Sequence, residues 1–244
     1  HLDYVCQRRG PSSEDVQKEL RFVDGLVAAF ADFRQHYGEE EAVLFIVSEY
    51  GLVQVTRHVC LNRILRRSGL LTVREIAGGE YIDFELSDAF AVVDHQVAHI
   101  YCKPNAVDAA KRALSEADGV AEVLDRRGQC GFEIRHDRSG ELVALAERDC
   151  WFPYYYWLDD GKAPFFARTV DIHNKPGYDP CELFIDAETK SIPLHPELVK
   201  GSHGLPVEDD ESFAVMICSD AELDDYAPQP FAATQFLGML YRVI

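Results

Sequence analysis

The most constraining stretch of this chain is the apolar run AVLFIV at residues 42–47, which follows three glutamates and stops abruptly at Ser48-Glu49-Tyr50-Gly51. A short, unbroken apolar run bounded by polar and turn residues reads as a strand buried on both faces, because a strand with one wet face would alternate. It is far too short for a membrane span, which needs about 18 apolar residues or more. In open α/β sheets ligands gather at the carboxyl ends of strands, so the polar tetrapeptide that ends this run becomes a candidate site.

The rest of the chain alternates helix and strand patterns, which favours an α/β fold. Residues 13–36 repeat Val16, Leu20, Val23, Val27 and Phe30 at helical spacing, with Ser12 as the cap and Gly38 as the stop. A short basic helix is expected at 57–67, strands at 70–76, 80–84, 89–94 and 98–102, a helix at 106–117, and strands at 120–124 and 141–146. From about 126 to 210 regular pattern thins into long ordered loops, the kind of segment that carries function. With no repeat and no clear break in composition, residues 1–244 read as one domain.

Charge narrows the functional classes. Twenty-four basic residues stand against 42 acidic ones, a formal charge of −18. Such a surface repels nucleic-acid polymers and anionic membranes, while a local patch still suits a small phosphorylated ligand. Seven cysteines are scattered without CxxC spacing, which suggests neither a disulfide framework nor a thiolate zinc site, and a reducing cytoplasm is the expected compartment. The chain opens at His1 without an initiator Met or a signal-peptide pattern, and it is read as a piece of a longer protein. Neither GxGxxG nor GxxxxGK[ST] occurs, so dinucleotide and P-loop readings lose support.

Four landmarks in order carry a resemblance to a known family: Asp3 through Gly10-Pro11 before a helix, the strand ending in Ser48-Glu49-Tyr50-Gly51, Gly201-Ser202-His203-Gly204, and the closing stretch from Ala227-Pro228 to Leu237-Gly238. They resemble the DxxxHxxGP, SDHG and GxHG motifs and the closing segment of type I phosphodiesterases/nucleotide pyrophosphatases, within the alkaline phosphatase superfamily. The resemblance implies a central, mostly parallel sheet flanked by helices, in an incomplete domain that corresponds to the C-terminal part of the family. It implies metal-dependent hydrolysis of phosphoric esters or anhydrides, with divalent ions, zinc first and manganese or magnesium as alternatives. The family's nucleophile lies upstream of this chain.

Carried over residue by residue, the resemblance makes Asp3, Gln7 and His203 ligands of one metal and Glu49 a ligand of a second, with Tyr50 bonding a phosphoryl oxygen. Gln7 stands where the family has His, and Glu49-Tyr50 where it has Asp-His. An amide oxygen is a hard neutral donor that suits magnesium or manganese better than zinc. Asp94, His95 and His99 form a second cluster able to replace the donors lost at Glu49-Tyr50, although three-way ligation needs a turn between them and a hydrogen-bonded structural histidine is the plainer reading of each. Asp171 and His173 share one strand face and are further candidates, against the plainer reading of a surface salt bridge. The aromatic run 151–157 suits core or loop anchoring better than ligand stacking, and Arg57, Arg63, Arg66 and Arg67 suit a solvated helix face. The altered motifs leave a second reading open, a non-catalytic relative that binds a phosphate-bearing ligand or a protein partner.

Overall fold

The segments AFAVV and VAHIYC alternate small buried and larger residues, and they pair as a hairpin at the centre of the larger part of the molecule. The computed structural model describes residues 1–37, 42–219, 230 and 232–241. In chain order its elements are α1 (Leu2–Arg9), α2 (Glu14–His36), β1 (Phe45–Val47), β2 (Val53–Gln54), β3 (Arg57–His58), α3 (Leu61–Arg67), β4 (Val73–Ile76), β5 (Gly79–Ile82), β6 (Ala89–Asp94), β7 (Val97–Cys102), α4 (Val107–Ser115), β8 (Val120–Leu124), α5 (Arg126–Gly131), β9 (Leu142–Ala146), β10 (Cys150–Trp151), β11 (Gly201–Ser202), β12 (Met216–Cys218) and α6 (Phe236–Leu240). Short 3₁₀ turns punctuate residues 160–198, in the expected loop-rich region. No helix among the described residues is long and apolar enough to cross a membrane.

The chain divides into two units, the first built from His1, Asp3–Val16 and Leu52–Pro206, the second from Leu2, Gln17–Gly51 and the described residues from Val207 onward. In the first unit the main sheet has the order β6-β7-β9-β8, and every pairing in it is antiparallel. The expected mostly parallel sheet is therefore corrected. Asp94 pairs with Val97, so only His95 and Gln96 connect β6 to β7, and a connection that short permits antiparallel pairing alone. Parallel pairing among the described residues is confined to β3 with β10 and a single bridge between Val93 and Gly177.

The core of this unit lies between the sheet, α3, α4 and the aromatic segment. Trp151, Phe152, Tyr154, Tyr155, Tyr156 and Trp157 are all at most 1% exposed, so the run is core rather than a stacking platform. Arg67 is exposed as expected, but Arg57, Arg63 and Arg66 do not form a solvated helix face. Arg57 binds Asp149, Asp118 and Glu147, and it lies on β3 rather than on a helix. Arg63 donates to Trp157 O, while Arg66 makes a forked pair with Glu80 and also reaches Tyr156 O. The aromatic backbone has few regular partners of its own, and these guanidinium groups satisfy its carbonyls.

In the second unit β1 pairs antiparallel with β12 and is half-buried to exposed, not buried on both faces as the apolar run suggested. A two-stranded ribbon covers little of either face, which is why an apolar run sits here without deep burial. Helix α2 forms as the periodicity predicts, but Leu20 and Phe30 are exposed, because no other described element packs broadly along that stripe. Its entry is marked by Ser13, whose hydroxyl accepts from Val16 N, rather than by Ser12. The stop at Gly38 and the Ala227-Pro228 landmark lie outside the described residues.

Asn62 supplies a sharp test of the core. Fully buried on α3, it donates to Ala91 O and Tyr154 O and accepts from Ala91 N at 2.7 Å, fastening helix, sheet and aromatic segment together. Asn62→Ala strands three buried backbone groups and should cost about 2–4 kcal/mol in chemical denaturation, whereas exposed Arg67→Ala should change stability by less than about 0.5 kcal/mol.

Candidate metal site on helix 1 and the glycine-rich turn

Asp3 and Gln7 are four residues apart on α1 and so share one face. Gln7 Nε2 donates to Asp3 Oδ2 at 2.8 Å, which fixes the amide so that Oε1 points away from that carboxylate. Beyond the helix side chains, Lys200 N donates to Gln7 O at 2.7 Å. Gly201 then passes so close to the α1 backbone that a Cβ there would run into Cys6 O. Pairing of β11 with β2 holds this approach, and His203 follows directly. Gly204 has φ +113, a backbone conformation that L side chains rarely adopt. Each glycine of the GSHG motif thus has a physical reason: one permits contact, the other turns the chain.

The turn between β6 and β7 meets this segment. Gln96 N donates to His203 O at 3.0 Å, Phe152 N donates to His95 O at 2.8 Å, and Ala146 N donates to Gln96 O at 2.9 Å. The Gln96 side chain adds bonds to Arg148 O and Cys150 O. So clamped, His95 occupies the left-handed region at φ 56, where histidine is one of the more tolerated residues. Its Nδ1 lies 2.8 Å from Asp94 Oδ1, and this bond holds the Asp94 carboxyl below the usual carboxylate range. The His95 ring lies 3.9 Å from that of His203 and 4.9 Å from that of Tyr178 by centroid. Tyr178 is placed by Gly177, whose backbone lies against Val93 so tightly that a Cβ would meet Val93 O.

Burial pushes the His203 imidazole down to about 4, with His95 adding to the effect and Asp94 and Asp3 opposing it. At neutral pH the ring is uncharged, the form in which an imidazole can act as a metal donor. Asp3 Oδ1, Gln7 Oε1, His95 Nε2 and Ser202 Oγ are buried and have no hydrogen-bond partner. Three of these are acceptors as oriented, which is the chemistry that a cation would satisfy, and carboxylate, amide and imidazole are all competent donors. The residues present therefore fit a divalent ion.

The structure gathers Asp3, Gln7, Asp94, His95 and His203 into the first unit's cluster. Of the other sequence candidates, two belong to the second unit and three to other segments of the first. Glu49 and Tyr50 belong to the second unit, where Glu49 is exposed and lines a pocket of about 670 Å³ with Ser48, Phe213, Met216 and Phe236. His99 lies within β7, and its Nδ1 accepts from Gly140 N. Asp171 caps its own turn, accepting from His173 N, Asn174 N and Asn174 Nδ2, while His173 is exposed. Tyr178 was not singled out from sequence, and the signal for it was the preceding Gly177 in KPGYDP. Among the described residues, three His, Cys, Asp or Glu donors lie within 4.8 Å of one another at Glu147, Asp149 and Cys150. Arg57 already neutralises that group through Asp149 and Glu147.

The family model for type I phosphodiesterase/nucleotide pyrophosphatase matches residues 1–179, and the chain belongs to that family. Among solved structures, murine ectonucleotide pyrophosphatase/phosphodiesterase 5 matches 64% of this chain and 38% of its own at 20% identity and a TM-score of 0.49. The human form matches 75% of this chain and 49% of its own at 15% identity and a TM-score of 0.49. A phosphonoacetate hydrolase from Sinorhizobium meliloti 1021, in complex with phosphonoformate, matches 63% and 37% at 16% identity and a TM-score of 0.42. The chain spans less than half the length of each of these proteins.

A pH test follows from His203. An imidazole lowered from 6.5 to about 4 binds fewer protons folded than unfolded, so its contribution is complete above about 6.5 and is lost as pH falls toward 4. Thermal melts of metal-free protein should therefore lose more stability over that window in the wild type than in His203→Gln.

Proposed function

We propose that this chain carries one metal-binding half of a phosphoric ester or anhydride hydrolase that acts on a small phosphorylated substrate. Membership of the phosphodiesterase/nucleotide pyrophosphatase family supports the reaction class, and the family is metal-dependent. The observation that carries the reading is the set of buried acceptors without partners at Asp3 and Gln7, brought beside His203 by the GSHG turn. Asp3, Gln7 and His203 would hold the ion. A divalent ion in such a site polarises a phosphoryl oxygen and stabilises charge that develops on it. The chain's own part is to keep His203 neutral, Gln7 oriented by Asp3, and the turn rigid.

Glu49 and Tyr50 are proposed for a second ion or for contact with a phosphoryl oxygen, through the resemblance of their motif alone. The replacement of His by Gln7 and of Asp-His by Glu49-Tyr50 adds oxygen donors, so manganese and magnesium stand beside zinc as candidate ions. The same replacements support the second reading, a relative that binds a phosphate-bearing ligand without turnover.

Elemental mass spectrometry after loading with Mn²⁺ or Zn²⁺, combined with hydrolysis of bis-p-nitrophenyl phosphate by the longest native form of the protein, separates these readings. The proposal expects bound metal in the wild type, loss of it in His203→Ala, and a drop in hydrolysis of at least about 100-fold in that variant. Bound metal without hydrolysis favours the non-catalytic relative. Protein that takes up no ion contradicts both the metal site and the mechanism built on it.

A further inference from the structure

We propose that His95, oriented by Asp94, is the imidazole donor that compensates for glutamine at position 7 in the Asp3–Gln7–His203 metal site. This rests on the metal-site reading above and assigns to it a residue that the family motifs do not supply.

Proton placement makes the first argument. A carboxylate can only accept, so in the neutral ring the 2.8 Å contact between Asp94 Oδ1 and His95 Nδ1 puts the proton on Nδ1 and leaves the lone pair on Nε2. That Nε2 is buried and has no hydrogen-bond partner. A carboxylate behind an imidazole whose far nitrogen carries a bare lone pair is the usual outer support of a metal-bound histidine. Asp94 itself stays largely exposed, and its folded role is to fix the ring.

Satisfaction of the buried groups makes the second. Asp3 Oδ1, Gln7 Oε1 and His95 Nε2 all present lone pairs, so none of them can satisfy another. The His95 and His203 rings are 3.9 Å apart by centroid, and His203 follows residues 200–201, whose backbone lies against Cys6 and Gln7 of α1, so both histidines sit in the neighbourhood of the helix that carries Asp3 and Gln7. One cation satisfies several such acceptors at once, whereas one water has two protons to give.

Rigidity makes the third. His95 holds a left-handed backbone conformation, its carbonyl accepts from Phe152 N, and Tyr178 stacks on its ring. Strained, over-determined residues of this kind are kept where their placement matters. Asp3, His95 and His203 do not form a trio with all donor atoms within 4.8 Å. The ion must therefore draw these donors together around the fixed His95.

The test uses the 244-residue chain, titrated with Mn²⁺ and Zn²⁺ by calorimetry, together with the visible spectrum of the Co²⁺-loaded protein. His95→Asn keeps a residue that tolerates the left-handed conformation and removes the imidazole. It should weaken metal binding by at least about tenfold and alter the cobalt spectrum, and Asp94→Asn should weaken binding by about tenfold. Circular-dichroism melts confirm folding, and if His95→Asn does not fold, Asp94→Asn on the exposed side carries the test. A wild type that binds no ion overturns the metal-site reading and this assignment with it. A wild type that binds metal, loses it in His203→Ala, and keeps its affinity and cobalt spectrum in both His95→Asn and Asp94→Asn overturns the assignment of His95 alone.

Discussion

The contact on which the site depends is a backbone one, between the α1 helix and residues 200–201. Lys200 N bonds Gln7 O, and Gly201 lies against Cys6 O with no room for a side chain. Nearly two hundred residues separate these segments in sequence, and loop closure over that length has an entropic cost that the native packing must offset. The β2–β11 pairing and the bond from Gln96 N to His203 O help to offset it. Without this approach Asp3 and Gln7 would be two polar residues on a short helix.

The rest of the first unit makes that approach rigid. The two-residue connection between β6 and β7 is clamped from β9 and the aromatic segment, and the aromatic segment is clamped in turn by Asn62, Arg63 and Arg66. Lys175, buried with Asp179 and Glu182, fixes the loop that carries Tyr178. A buried cation paired with two carboxylates is costly to break by removal of one partner, so it suits a loop that must not wander. Burial of this quality around the His95–His203 pair also explains why the His203 ring is held neutral.

Local pattern in the sequence revealed much of the secondary structure. Strands at 89–94 and 120–124 fall on β6 and β8, and in β6 an alternating pattern buries Ala89, Ala91 and Val93. Pairing direction was less legible, because it depends on how few residues join β6 to β7, and those residues, Asp94-His95-Gln96, read as chemistry rather than as a turn. The apolar run at 42–47 misled for a related reason: periodicity shows what a strand can bury, not whether anything covers it. At the site, Asp3, Gln7 and His203 were readable as motif positions, whereas the turn after Asp94 sends His95 toward His203 and leaves His99 within β7, bonded to Gly140 N. Tyr178 was hidden, since its role comes from Gly177 and a bridge to Val93 that no spacing rule encodes.

The most direct measurement is the anomalous difference map of a crystal of this chain soaked with Mn²⁺. The account predicts one strong peak within bonding distance of Asp3 Oδ1, Gln7 Oε1, His203 and His95 Nε2. A map with its manganese at Glu147 and Asp149, or with no peak between α1 and the GSHG turn at full soaking, would contradict it.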